Sequence, residues 1–404
     1  MSCQLSEDLW GKPAASAKEL RHRLHRIPEL AFQESQTAAT IRAELDRLGI
    51  AHIDGVPDAP TATIAILGDP SRPCVALRAD IDALPITEQT HVSYASQHQG
   101  HAHSCGHDGH AATLAGAAAV LHSLGDRLPF CVKCIWQPAE EGGGGAERLV
   151  KAGVLDGRIG PQVWAIFGLH GWPELPVGTV ATKPGAMMAG TDQFSVTLTG
   201  KGCHAASPHL GRDPIVAAAE AILCLQQVAS REVDPIASVV VTVGRIQGGT
   251  AVNIIPPSVR FDGTVRTLTD TVRRQAKEAV LRRLAGVAAA NDCLPAVQWT
   301  AGYPPTINDP SAADYVSRIA RAALGPDAFI PLGAPSMGGE DFAYYLEQIP
   351  GCFIRLGLRP RDAADSPGLH TPQFNFNDDA IEPGIRLLVN LAVGWPDEKP
   401  LPTP

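Results

Sequence analysis

The segment from His101 to His110 reads HAHSCGHDGH and concentrates nitrogen and sulfur ligands in a short stretch of chain. Thiolate and imidazole groups are the preferred protein ligands of zinc and similar ions. Cys105 and His107 are separated by a single Gly, so a loop could direct both side chains to one point. A His-rich loop that merely caps the next helix is the alternative, and the density of ligand types makes it less favourable.

A second polar segment, QPAEEGGGG, contains the adjacent carboxylates Glu140 and Glu141 and follows the apolar run 130–136. Two neighbouring carboxylates can have different roles: one can bind a cation while the other accepts a proton from a water molecule. A solvated acidic turn is the competing interpretation. The Gly run is not a phosphate-binding loop, because no Gly-Lys-Ser/Thr follows it.

Two single histidines follow other apolar runs. His170 comes directly after residues 163–167, and His370 lies beyond the run 352–356. A lone His at the end of a strand is more often a packing residue than a ligand. Their interest comes from the prediction that they reach the same sheet edge as the two groups above.

The elements that would position these residues have an α/β pattern. Five short apolar runs are predicted as strands buried on both faces, at 61–67, 74–77, 130–136, 163–167 and 352–356. They alternate with helical patterns, among them the almost wholly apolar stretch 111–124. This order predicts a central, mostly parallel sheet flanked by helices. Ligands of such open sheets bind at the carboxyl ends of the strands.

The middle of the chain has a different pattern. Residues 194–199 alternate between apolar and polar, as expected of a strand with one solvated face. Further strands and two helices follow in the order β-α-β-β-α-β, which predicts a ferredoxin-like α+β insert. We therefore expect a catalytic metal-binding domain formed by residues 1–184 and 301–404, and a lid or dimerisation domain formed by 185–300.

Composition limits the partners and the compartment. The formal net charge is −9 and basic residues are not clustered, which argues against nucleic acid and anionic membrane surfaces. No run is long enough to span a bilayer, and residues 1–8 lack the basic start and apolar core of a signal peptide. Nine scattered Cys residues favour a reducing compartment. We expect a cytoplasmic protein.

Two residues of the insert stand out only weakly. His204 follows the alternating strand in the segment GKGCHAA, and Asn253 lies within the apolar segment VNIIPP. On spacing alone, His204 is better explained as a surface loop residue and Asn253 as a turn cap.

Segments spread in order over nearly the whole chain resemble the M20 metallopeptidase family, specifically its amidohydrolase branch of hippurate hydrolases, N-acyl-amino-acid amidohydrolases and indole-acetyl-amino-acid hydrolases. The matching segments are 25–30, 77–85, 105–110, 137–141, 168–170, 200–206, 213–214, 252–256, 337–342 and 369–371. Cys203 and Ser104 depart from the family pattern, but neither change removes a ligand.

The resemblance implies a role for each site residue. Glu140 matches the general base, and Asp80 matches a carboxylate that orients a ligand His. His204 and Asn253 match lid groups that contact substrate and help to hold the oxyanion. The residues that match the ligands of two divalent metal ions are Cys105, His107, Glu141, His170 and His370.

The function expected from the resemblance is metal-dependent hydrolysis of the amide bond of N-acyl amino acids, by a homodimer paired through the lid domain. The metals are expected to be Mn²⁺ or Zn²⁺, with Co²⁺ or Ni²⁺ as alternatives. A dipeptidase or carboxypeptidase of the same family is the nearest rival function. A metal-dependent binding protein without catalysis is the rival from another class, although a pure binder would need only one of the two glutamates.

Overall fold

The computed structural model describes residues 6–395, and the first five residues of the N-terminal segment discussed above lie outside this range. The chain forms two compact units. The first comprises the described residues up to Gly185, then Ile307–Gly333, then those from Asp341 onward. The second comprises Ala186–Thr306 and Ala334–Glu340. It therefore includes residues 334–340, which the sequence pattern assigns to the catalytic domain.

The first unit is built on a mixed sheet. Its strands, in spatial order, are His52–Ile53, Thr63–Leu67, Cys131–Gln137, Cys74–Asp80, Val163–Pro176, Gly351–Arg359, Val180–Thr182 and Phe329–Pro331. The four central strands run parallel to one another. This confirms the predicted α/β class, and it brings the carboxyl ends of those four strands to one edge of the sheet.

Helices pack against this sheet and close its core. Their bounds are Gly11–His25, Ser35–Arg47, His107–Leu124, Gly145–Ala152, Pro310–Leu324, Ala343–Leu346 and Ile381–Gly394. The helix His107–Leu124 is buried along almost its whole length, which explains its nearly uniform apolar sequence. It begins four residues earlier than the apolar pattern indicates, so His107 and His110 lie in its first turn.

The second unit has an antiparallel sheet with two helices, Pro214–Gln227 and Asp270–Ala290. Its strands, in spatial order, are Val239–Gly248, Ser258–Thr267, Gly190–Thr199 and Leu294–Ala301. Alternate side chains of Gly190–Thr199 are buried, as its pattern predicts. A separate two-stranded ladder pairs Cys203–His204 with Ile254–Ile255. Two further short strands span Gly185–Met188 and Thr306–Asn308.

Candidate metal centre and its supporting residues

The predicted ligands of the first unit come from four separate segments that meet at the carboxyl edge of the sheet. Glu141 follows the strand Cys131–Gln137, and His170 lies within Val163–Pro176. Cys105 precedes the helix that His107 begins. His370 belongs to the loop after Gly351–Arg359.

The structure brings the ligand atoms of these segments together. One ligand atom each from Cys105, Glu141 and His370 lies within 4.8 Å of the others, and the same holds for His107, Glu140 and Glu141. Sγ of Cys105 lies 3.3 Å from Nε2 of His170. Two adjoining ligand groups therefore share Glu141, as a site for two cations would require.

His107 is held so that one ring nitrogen is available. Its Nδ1 lies 3.2 Å from Oδ1 of Asp82, and its Nε2 is buried without a hydrogen bond. The Nε2 atom lies 4.0 Å from Oε1 of Glu141, which is also buried. A buried ring nitrogen without a hydrogen bond is costly unless a cation occupies the space in front of it.

The other two buried histidines differ in what their nitrogens can do. His170 directs Nδ1 to the carbonyl oxygen of Gly171 at 2.8 Å, which fixes the ring and turns Nε2 toward Cys105. This is the usual arrangement of a metal-ligating His. His110 uses both nitrogens, because Nδ1 lies 2.6 Å from Asp80 and Nε2 accepts the Gly171 amide at 2.7 Å. His170 therefore suits a ligand, whereas His110 suits a support.

Asp80 and Asp82 support different groups. The resemblance assigns Asp80 to the orientation of a ligand His. In the structure its carboxylate binds His110, accepts from Arg78 at 2.7 Å and lies 3.8 Å from Nε2 of His107. Asp82, which its sequence context does not single out, contacts the predicted ligand His107 and also accepts the amides of Glu140 and Glu141, at 3.1 and 2.9 Å. Its sequence signal is its spacing from Asp80, since residues two apart in an extended segment share a face.

His370 reaches the cluster through its backbone. Its amide donates to the carbonyl of Ser104 at 2.8 Å, which ties the His370 loop to the residue before Cys105. The His370 backbone is left-handed, with φ of 59°. Nε2 lies 3.2 Å from Oε1 of Glu141, and the side chain is about half exposed, at 53%. Of the proposed ligands, His370 is therefore the most exposed to solvent.

The electrostatics of the cluster fit bound cations. Burial, and then the carboxylates of Glu141 and Glu140, raise the pKa of the Cys105 thiol well above its ordinary value. Burial alone would lower the pKa of His107, but Asp80 and Asp82 outweigh it and raise that pKa to about 10. Both groups need positive charge nearby to adopt their ligating forms, the thiolate and the neutral imidazole. The donor set of sulfur, imidazole and carboxylate is one that divalent zinc-like ions accept.

The two predicted substrate residues lie in the second unit and are neighbours there. His204 pairs with Ile254 in the short ladder, and the amide of Ala205 donates to the carbonyl of Asn253 at 3.0 Å. Both side chains are exposed. Nδ1 of His204 accepts the amide of Ala206 at 3.0 Å, so the neutral ring carries its proton on Nε2. His204 can thus act as a hydrogen-bond donor.

Comparison with known proteins gives one consistent group. Residues 76–393 match the model of peptidase family M20/M25/M40. An N-acetyl-L-cysteine deacetylase of Bacillus subtilis is 42% identical over 90% of this chain and 84% of its own. An IAA-amino acid hydrolase of Arabidopsis thaliana is 39% identical over 94% of this chain and 85% of its own. A solved dinuclear metal-binding M20 peptidase of Bacillus subtilis superimposes with a TM-score of 0.81 and 36% identity, covering 95% and 98% of the two chains.

Proposed function

Since the chain belongs to peptidase family M20/M25/M40 and is a hydrolase of that type, we propose that it cleaves the amide bond of N-acyl amino acids, with Glu140 as general base. One observation carries this proposal: the buried Glu140 and the partly buried Glu141 lie against the Cys and His cluster, and Asp82 accepts the amides of both. A protein that only bound metal would need Glu141 and would have no use for Glu140.

The proposed metal ligands are Cys105, His107, Glu141, His170 and His370. Two divalent cations bound by them would acidify a water molecule and polarise the substrate carbonyl. We assign Mn²⁺ or Zn²⁺ to the site, with Co²⁺ or Ni²⁺ as further candidates, because this mixed donor set suits each of them.

Side chains of the protein carry out the proton transfers and stabilise the transition state. Glu140 takes a proton from the attacking water and returns it to the amino nitrogen that leaves. His204, through Nε2, and Asn253, through its side-chain amide, donate hydrogen bonds to the oxygen that becomes negative in the transition state. Asp82 and Asp80 hold His107 and His110 in fixed orientations, so no reorganisation is needed at the moment of reaction.

The substrate class follows from what the similar proteins act on, an N-acetyl and an indole-acetyl amino acid. A panel of N-acetyl, N-benzoyl and N-(indole-3-acetyl) amino acids, with free dipeptides as the comparison, tests it on protein reconstituted with each metal. Release of free amino acid from the acylated compounds, faster than from dipeptides, supports the proposal. Preferential cleavage of dipeptides would support the peptidase alternative, and tight metal binding with no hydrolysis would support the binding protein.

We further propose that the protein is a cytoplasmic homodimer paired through its second unit. The eight described Cys residues are all free thiols, as a reducing compartment requires. The strand Val239–Gly248 lies at a sheet edge and exposes Val240 and Ile246, which a second copy could cover. A monomeric mass in light scattering would contradict the dimer. Among the described residues, no helix combines the length and apolarity needed to cross a bilayer.

A further inference from the structure

Three consecutive amides, those of residues 139, 140 and 141, are held by two buried carboxylates. Asp82 accepts the amides of Glu140 and Glu141, and Glu34 accepts the amide of Ala139 at 2.9 Å. We propose that Glu34 is a positioning residue for the reaction, which fixes the turn that presents Glu140. This inference rests on the proposed function, since Glu140 is the base in it.

The turn needs such a restraint because its first residue has an unfavourable backbone. Ala139 is left-handed, with φ of 57°, a conformation that Cβ disfavours in every residue except Gly. Phe32 is also left-handed, with φ of 60°. Oε1 of Glu34 accepts the amides of both residues, each at 2.9 Å. A single oxygen atom thus binds two segments of the chain in conformations that they would not favour alone.

The packing around this oxygen leaves little freedom. A Cβ added at Gly143 would lie 2.6 Å from Cβ of Ala139 and 2.5 Å from the ring of Phe32, so these three residues are in close contact. The carbonyl of Ala139 accepts the amides of Gly143 and Gly145, at 3.3 and 3.1 Å. Both polar groups of the Ala139 backbone are therefore engaged, and Glu34 supplies the acceptor for its amide.

Glu34 is not explained as a helix cap. It occupies the N-cap position of the helix Ser35–Arg47, but its side chain makes no capping hydrogen bond. Oε1 binds Phe32 and Ala139, and Oε2 accepts the hydroxyl of Thr61 at 2.8 Å. The amides of that helix are instead capped by Glu29, which accepts the amide of Thr37 at 2.8 Å. The carboxylate of Glu34 thus binds the turn at Ala139 and does not cap its own helix.

The contacts of Glu34 require an oxygen acceptor but no negative charge. Burial raises its pKa to about 7. Oε1 only accepts, and Oε2 faces the hydroxyl of Thr61, which can serve as donor or acceptor. An amide in place of the carboxyl can keep all of these contacts, with its oxygen toward the two amides and its NH₂ toward Thr61. Glu34→Gln is therefore the conservative variant.

The test compares steady-state hydrolysis of an N-acetyl amino acid by four variants. For Glu34→Ala we expect kcat to fall about 10- to 100-fold, with KM within about twofold and metal content unchanged, because a small misplacement of a catalytic group costs rate. Glu34→Gln should keep kcat within about threefold. Ala139→Gly should be near wild type. It should restore about tenfold in the Glu34→Ala background, because Gly adopts positive φ without strain.

A matched control separates positioning from general stability. Glu44 is a buried glutamate of the helix Ser35–Arg47, bound by Ser16 and Arg47, and these contacts lie away from the turn. Glu44→Ala should lower the free energy of unfolding and leave kcat unchanged. The proposal is overturned if Glu34→Ala leaves kcat unchanged, if it loses metal in proportion to activity, or if Glu34→Gln is as impaired as Glu34→Ala.

Failure of the proposed function can be told apart from failure of this inference. Wild-type protein that hydrolyses no acylated amino acid would refute the function. A crystal structure of Glu34→Ala would still test the inference. Ala139 leaving the left-handed region, with Glu140 displaced, supports it, whereas unchanged φ and an unmoved Glu140 overturn it.

Discussion

Cys105 and His370 are far apart in the chain, yet a ligand atom of each lies within 4.8 Å of the other. The backbone brings them together, because the amide of His370 donates to the carbonyl of Ser104. This pairing places the last proposed ligand of the chain beside the first, and it is the contact that the dinuclear proposal needs most.

Glu140→Gln should keep both metal ions and lose about 10²–10⁴ in kcat, since a general base contributes about that factor. The variant keeps the shape and the backbone contacts to Asp82 but cannot take a proton. Turnover and metal content by mass spectrometry measure the two effects separately. Glu147→Gln, an exposed change on the next helix, is the matched control and should match wild type. Near-normal activity of Glu140→Gln would show that another group is the base.

Cys105→Ser should weaken metal binding, because a hydroxyl is a harder and less readily ionised donor than a thiol. We expect reduced metal content after dialysis against a weak chelator. In the Co²⁺ form, the near-ultraviolet charge-transfer band of a thiolate ligand should be lost. Cys224→Ser removes a thiol of the second unit that contacts Arg283 and should alter neither property. A Cys105→Ser protein with full metal content and an unchanged Co²⁺ spectrum would exclude Cys105 as a ligand.

Asp82→Asn should impair both metal binding and turnover. The asparagine side chain has one oxygen where Asp82 uses two, so its NH₂ group must face either the amide of Glu141 or both His107 and the amide of Glu140. Removing such a supporting contact commonly costs about 10- to 100-fold in metal affinity or activity. Isothermal titration with Zn²⁺ and steady-state kinetics measure the loss. Unchanged affinity and kcat would mean that His107 and the turn hold their positions without Asp82.

Stability at low pH should depend on Glu88. Burial would raise its pKa, but hydrogen bonds from His25, Thr90 and Ser96 outweigh burial and lower it to about 2. A lowered pKa stabilises the folded state above the ordinary value near 4.5, and this contribution is lost as the pH falls toward 2. The difference in free energy of unfolding between wild type and Glu88→Gln should therefore shrink below about pH 4.5.

Urea unfolding at pH 7, 5 and 4 would measure this difference, with exposed Glu19→Gln as the control. A constant difference across that range would show that Glu88 ionisation does not contribute to folding. Bound metal stabilises the folded state by mass action, so every sample must contain the same free metal concentration.

The sequence predicts where the proposed ligand segments lie in the fold, because their position depends on the local pattern of apolar and polar residues. Apolar runs fix where the strands lie, and a polar residue just beyond a run must lie at the sheet edge. The strand Val163–Pro176 runs on through His170, well past the apolar run that predicts it, so its end could not be set by hydrophobicity alone.

The supporting residues are harder to predict because their partners are backbone amides far along the chain. Asp82 and Glu34 bind groups near residue 140, and no spacing rule connects those positions. The left-handed backbone of Ala139 could not be predicted from the sequence either, since an Ala residue gives no signal for positive φ. Such roles depend on tertiary packing, which composition and periodicity do not encode.

The most direct test of the proposed dinuclear amidohydrolase is a metal titration of chelated protein, followed by hydrolysis of an N-acetyl amino acid that the wild-type protein cleaves. Activity should be absent after chelation and should rise with added Mn²⁺ or Zn²⁺ to a plateau at two equivalents per chain. A plateau at one equivalent, or hydrolysis by the chelated protein, would contradict a reaction that depends on two cations held by these side chains.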